Sequence, residues 1–99
     1  MSGSGFVSII LPVYNAAPFL QAAVASLLEQ TYREFEIIAV DDGSTDASRA
    51  ILEELARGDS RLRIFSKENG GCSSALNFAI AKAEGEFIAR MDEIGRAHV

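Results

Sequence analysis

Apolar residues fall in four short, nearly unbroken runs, and between them they recur every three or four positions. Val7 to Val13 (VSIILPV) is the first run, the pattern of a strand covered on both faces, as parallel strands are. Pro12 lacks a ladder donor, so it belongs near the strand's end or where a missing N–H does no harm. Pro18 suits a first helical turn, and Phe19, Leu20, Ala23, Val24, Leu27, Leu28 and Thr31 predict an amphipathic helix from Pro18 to about Gln30.

Phe35 to Val40 (FEIIAV) predicts a second strand, broken abruptly by DDGSTD, in which Gly43 permits a turn and Thr45 or Asp46 can cap a helix. Ala47, Ala50, Ile51 and Leu55 share one face of that helix, and Gly58-Asp59 ends it. Leu62 to Phe65 is a weaker third strand, and Asn69, Gly70 and Gly71 make the next turn. Leu76, Ala79, Ile80 and Ala83 mark a third helix, closed by Gly85 at a C′-type position, before a fourth strand from Glu86 to Met91.

The alternation β-α-β-α-β-α-β with short turns predicts an α/β fold, an open, mainly parallel, doubly wound sheet with right-handed crossovers. Ligands of such sheets lie beyond the carboxyl ends of the strands. The residues there are Tyr14-Asn15, Asp41-Asp42 and Asp92: a ring, an amide and three carboxylates on one edge. A carboxylate pair directly after a strand also serves simply to bind the amides of the next helix, and the pattern alone leaves both readings open.

Composition narrows the field. With 99 residues, 48% hydrophobic and 23% charged, the chain has the make-up of one globular domain. The net charge of −5 argues against a nucleic-acid groove, which needs clustered Lys and Arg. A divalent cation that bridges carboxylates to a diphosphate is compatible with such acidity. No run approaches the ~20 apolar residues of a membrane span, and Met1 to Gly5 lacks the features of a signal peptide, so a cytoplasmic location is expected. Cys72, the single cysteine, has no disulfide partner and reads as small and structural.

VSIILPVYN (7–15), FEIIAVDDGSTD (35–46), ENGGCSSALNFAI (68–80) and AEGEFIARMD (83–92) together, in order and at the same spacings, resemble the family 2 glycosyltransferases of GT-A type. The resemblance implies a partial nucleotide-sugar-binding domain over residues 7–92, after a leader at 1–6. It places Pro12, Tyr14 and Asn15 in the loop that contacts the nucleotide base, with Tyr14 against the ring. Asp42 matches the aspartate that accepts from the base ring N–H, which favours a UDP-sugar donor; Asp41 shares the motif and equally suits fixing the loop. Leu76 stands where the family often has arginine before Asn77.

The resemblance also implies Mn²⁺ or Mg²⁺, held by a D-x-D motif that begins at Asp92. The second aspartate is missing, because Glu93 to Val99 (EIGRAHV) follows. Those seven residues are what the common sequencing-adapter read GAG ATC GGA AGA GCA CAC GTC encodes, so 93–99 is expected to be a non-native tail and His98 is assigned no chemistry. No catalytic base is assigned, and the acceptor is unspecified. The parent is expected to transfer a sugar with inversion and this chain to be inactive, with apolar edges at its first and fourth strands prone to aggregation. The competing readings are a non-catalytic binding module of the same fold and, more distantly, a receiver-like acidic pocket. Dinucleotide and P-loop glycine motifs are absent.

Overall fold

The computed structural model describes residues 5–29 and 32–91, without the side chain of Cys72. The elements follow the predicted order: β1 (Val7–Val13), α1 (Ala17–Leu28), β2 (Phe35–Asp42), α2 (Ser48–Gly58), β3 (Leu62–Lys67), α3 (Cys72–Lys82) and β4 (Phe87–Arg90). All four strands are parallel, in the order β3-β2-β1-β4. The chain steps outward from β1 to β3 and then returns past β1 to lay down β4. Right-handed crossovers in opposite directions put helices on opposite faces. Accordingly Leu20, Val24 and Leu52 pack with Ile9, Leu11, Ile37 and Ala39 on one side, while Ala75 and Ala79 pack with Ile10, Ile38 and Val40 on the other.

The sheet edges are therefore β3 and β4. The expectation that the first strand is an edge is corrected: β1 pairs with β2 and with β4, and its apolar run is covered on both faces. β4 is the exposed margin, with Phe87 at 56% and Ile88 at 44% relative exposure.

Pro12 sits inside the β1–β2 ladder, in register with Val40. Val7 donates to Glu34 O on the β2 side, whereas Ile10 O accepts from Met91 N on the β4 side. Backbone groups alternate sides along a strand, so Pro12 shares the side of Ile10. Among the described residues pairing with β4 runs to Ile10↔Arg90, short of Pro12.

Helical faces were legible to within a residue. Phe19, placed on the inner face of α1, is exposed, because the buried stripe runs through Leu20 and Val24, one residue further round the helix. In α2 the buried apolar residue is Leu52, with Ile51 and Leu55 flanking it and Ala47 and Ala50 exposed. Gly85 is no left-handed helix cap: Ala83 closes α3 in extended conformation. What Gly85 requires is room. A Cβ there would lie 2.6 Å from both the N and the Oγ of Ser8.

That close approach belongs to a buried polar staple on the α3 face. Ser8 and Glu36 are register partners in β1 and β2. Ser8 Oγ donates to Glu36 Oε2 at 2.6 Å, Glu84 N donates to the same oxygen at 2.8 Å, and Gly85 N donates to Ser8 Oγ at 2.7 Å. Arg63 of β3 completes it, donating to Glu36 Oε1 at 2.8 Å and to Lys82 O at 3.1 Å. Burial alone favours the neutral acid, but the bonds from Ser8, Glu84 and Arg63 and the Arg63 charge outweigh it and hold the Glu36 carboxyl below its ordinary value.

Candidate functional site

The carboxyl ends of β1, β2 and β3 finish level. Val13 pairs with Asp41 and Asp41 with Ser66; one step on, Asp42 pairs with Lys67, and Tyr14 follows Val13. Adjacent parallel strands lie about 4.8 Å apart, so Tyr14, Asp42 and Lys67 occupy one row of roughly 10 Å. The row adjoins the point where the crossovers diverge, with β2 on one side of β1 and β4 on the other, and such a switch point is where open α/β sheets form their crevice.

The turns after β1 and β2 are laced together. Asn15 takes a left-handed backbone, φ 48°, which asparagine tolerates better than most residues. Its Oδ1 accepts from Thr45 N at 2.7 Å and Asp46 N at 3.3 Å, and its own N–H donates to Ser44 Oγ at 2.9 Å. The first amides of α1 also find partners across the gap: Ala16 N donates to Ser48 Oγ at 2.8 Å and Ala17 N to Asp46 Oδ2 at 3.2 Å. Helix N-termini leave such N–H groups orphaned, and here the second turn satisfies those of the first helix.

Asp46 is thus more than a cap. Its Oδ1 accepts from Ser48 N at 2.9 Å while Ala47 holds the formal N-cap position of α2. The Ser48 hydroxyl above all, then the Ser48 and Ala17 amides, hold the Asp46 carboxyl below its ordinary value against the opposing effect of burial.

Asp41 and Asp42 are still part of β2, although the apolar run stops at Val40. Successive strand residues face opposite ways, so the two carboxylates lie on opposite faces of the sheet. Asp41 shares its face with Ile37 and Ala39, toward α1 and α2, and accepts from Ser44 N at a long 3.4 Å. Asp42 lies on the α3 face and is fully buried. Its Oδ1 accepts from Lys67 Nζ at 3.2 Å and Gly70 N at 2.9 Å, and its Oδ2 from Gly71 N at 2.9 Å. The two glycine amides are turned onto this carboxylate. Gly71, at φ 90°, starts α3 in a conformation that disfavours any side chain.

Of the residues singled out from sequence, Pro12, Tyr14, Asn15, Asp41 and Asp42 lie together at this edge. Asp92 and the segment 93–99 lie outside the described residues. Among the described residues no three His, Cys, Asp or Glu side chains converge as a cation site. Lys67 escaped the sequence reading because it stands two residues past the predicted end of the third strand; only the register brings it beside Asp42.

The open parallel α/β sheet, with polar residues gathered at its carboxyl edge, is of the doubly wound class, and comparison with known proteins gives its family. The glycosyl transferase family 2 model matches residues 8–93, and the chain belongs to that family. It is 49% identical over 83 residues to an uncharacterized glycosyltransferase of Rickettsia conorii, covering 84% of this chain and 14% of the relative. Among solved structures it is similar to residues 1–349 of S. aureus TarS in complex with UDP-GlcNAc (TM-score 0.80, 33% identity, 94% of this chain and 26% of that one). It is likewise similar to the mannosyltransferase PcManGT of Pyrobaculum calidifontis in complex with GDP-Man and Mn²⁺ (TM-score 0.79, 31% identity, 84% of this chain and 26% of that one). The chain thus spans about a quarter or less of the length of these relatives and forms part of a GT-A-like domain. Among the described residues no helix is long and apolar enough to cross a membrane.

Proposed function

We propose that this chain is the donor-nucleotide portion of an inverting glycosyltransferase that moves a hexosyl group from a nucleotide-sugar, a UDP-sugar by preference, to a glycan, lipid or other acceptor. The observation that carries the reading is the row at the carboxyl edge, where Tyr14, Asn15, Asp41 and Asp42 stand at the switch point of a family 2 chain. The similarity to a UDP-GlcNAc complex supports uracil, and the similarity to a GDP-Man complex keeps guanine as the second candidate.

In this reading Pro12 shapes the wall of the base pocket, Tyr14 packs against the ring, and Asn15 locks the two turns into one surface. Asp41 and Asp42 provide the acceptor side of the pocket. Asp42 is buried beneath Gly70 and Gly71 with Lys67 beside it, so a base reaches it only when the glycine cover yields. In the parent enzyme Asp92 would be the first carboxylate to hold Mn²⁺ or Mg²⁺, and the cation would supply neutralisation of the diphosphate. The described residues build no such site. No carboxylate among them is placed as a base for the acceptor hydroxyl, so we expect the 99-residue chain to bind nucleotide without transferring sugar, in the cytoplasm or at its membrane face.

Calorimetric titration with UDP tests the reading. Tyr14→Ala should weaken UDP about three- to tenfold, the value of a lost ring contact, and Asp42→Ala should weaken it further. Wild-type affinity in both variants removes these residues from the site.

A further inference from the structure

Among the described residues the carboxyl edge of the sheet presents carboxylates and one cation. Asp41, Asp42 and Asp46 are acceptor groups when ionised. Among the described residues at the carboxyl ends of β1, β2 and β3 and in the turns that follow them, Lys67 is the side-chain cation. It pairs in register with Asp42, and on the α3 face its Nζ donates to Asp42 Oδ1 at 3.2 Å and to Glu68 O at 2.6 Å. An ammonium carries three N–H groups, so one is left beyond these two acceptors. The two partners also differ in access: the Lys67 side chain is 17% exposed, whereas that of Asp42 is 0%. At this point of the edge Lys67, not Asp42, is the side chain that reaches the surface, and its ammonium is held by the carboxylate beside it.

Resting on the nucleotide reading above, we propose that Lys67 is a specificity-determining residue for the base: its remaining N–H donates to an exocyclic carbonyl, so the pocket selects bases with C=O at that position over bases with an amino group. Uracil offers O4 beside its ring N3–H, and guanine offers O6 beside N1–H. Cytosine and adenine turn an NH₂ to the same place, and an ammonium cannot accept from it. The Asp42–Lys67 pair thus complements an N–H/C=O edge, with Lys67 reading the carbonyl. Lysine is suited to this as a compact charge with rotatable donors, and the buried carboxylate below limits where its ammonium can go.

The test uses the 99-residue chain and pairs of nucleotides that differ by one atom or group. UDP should bind about tenfold or more tighter than CDP, since a hydrogen bond to a charged group is at stake. 4-Thio-UDP, whose sulfur is a poor acceptor, should bind several-fold more weakly than UDP, while 2-thio-UDP stays within about twofold. In Lys67→Met the UDP and 4-thio-UDP affinities should converge, and Lys67→Arg should keep them apart. Should Lys67→Met fail to fold because it strands the Asp42 charge, the thio pair on the wild-type chain decides alone. Equal binding of UDP and 4-thio-UDP by the wild type overturns the proposal. So does a parallel loss of UDP and CDP affinity in folded Lys67→Met, which would place the ammonium on the diphosphate. Both of those outcomes leave the nucleotide site standing, whereas no UDP binding by the wild-type chain overturns the site and the proposal together.

Discussion

The α3 face of the β2–β3 pair carries a buried carboxylate at each end, each held by a cation from β3. At the amino end Glu36 meets Arg63; at the carboxyl end Asp42 meets Lys67. The chemistry is nearly the same, and what differs is the source of the other donors. Glu36 takes them from Ser8 of β1 and from Glu84 in the connection to β4, so it fastens together elements of the sheet. Asp42 takes them from Gly70 and Gly71, so it fastens a loop, and that loop borders the carboxyl edge of the sheet. A buried ion pair is weak evidence of function in itself; its position relative to the strand ends separates a staple from a site.

Breaking the staple should have the largest effect on stability. Glu36→Ala leaves Arg63, the Ser8 hydroxyl and the Glu84 amide without their acceptor, and should destabilise the chain by about 3 kcal/mol, the low end for a broken buried pair because Arg63 is partly hydrated. Urea unfolding measures this. UDP affinity of the folded fraction should stay within about twofold, and a large loss would mean that the two ends are coupled.

Next comes Gly85→Ala. Its Cβ would meet the backbone N and the Oγ of Ser8 at 2.6 Å, so the α3–β4 connection must shift, at about 2 kcal/mol. Gly58→Ala is the control: nothing lies within 4 Å of its Cβ, and the change should be neutral or stabilise α2 by up to about 1 kcal/mol. Equal effects at the two glycines would refute the close-approach argument.

Acid should act through the amino-end pair. The Glu36 carboxyl is held below its ordinary value of 4.5, so its contribution is complete above that pH and is lost as pH falls through the lowered folded value. Asp59, held low by Arg61, adds a dependence of the same sign. Unfolding followed from pH 7 downward should show stability falling below about 4.5, and Glu36→Gln should flatten that fall. An unchanged slope in the variant would remove Glu36 as its source. The smallest effect belongs to the exposed Arg49–Glu53 pair on α2: Arg49→Ala should change stability by less than about 0.5 kcal/mol in the same unfolding experiment, and a larger loss would give α2 a role that its exposure does not.

Much of this architecture was readable in one dimension. Continuous apolar strands and three- to four-residue helical spacing carry their own period, so β-α-β-α-β-α-β and its parallel sheet follow from local preference and burial. The family motifs likewise located Pro12, Tyr14, Asn15, Asp41 and Asp42 at strand ends, because those ends are where the apolar run breaks. Long-range partners were not readable. That β1 is interior rather than an edge depends on the direction of the last crossover, which no residue of β1 encodes. That Asp41 and Asp42 face opposite ways depends on the ladder running two residues past the apolar pattern. And that Glu36 and Lys67 matter at all depends on register, which sets Ser8 beside Glu36 and Lys67 beside Asp42 across 28 and 25 residues of chain. Hydrophobic period is local, but a buried charge takes its meaning from the neighbour that neutralises it, and only the folded sheet supplies that neighbour.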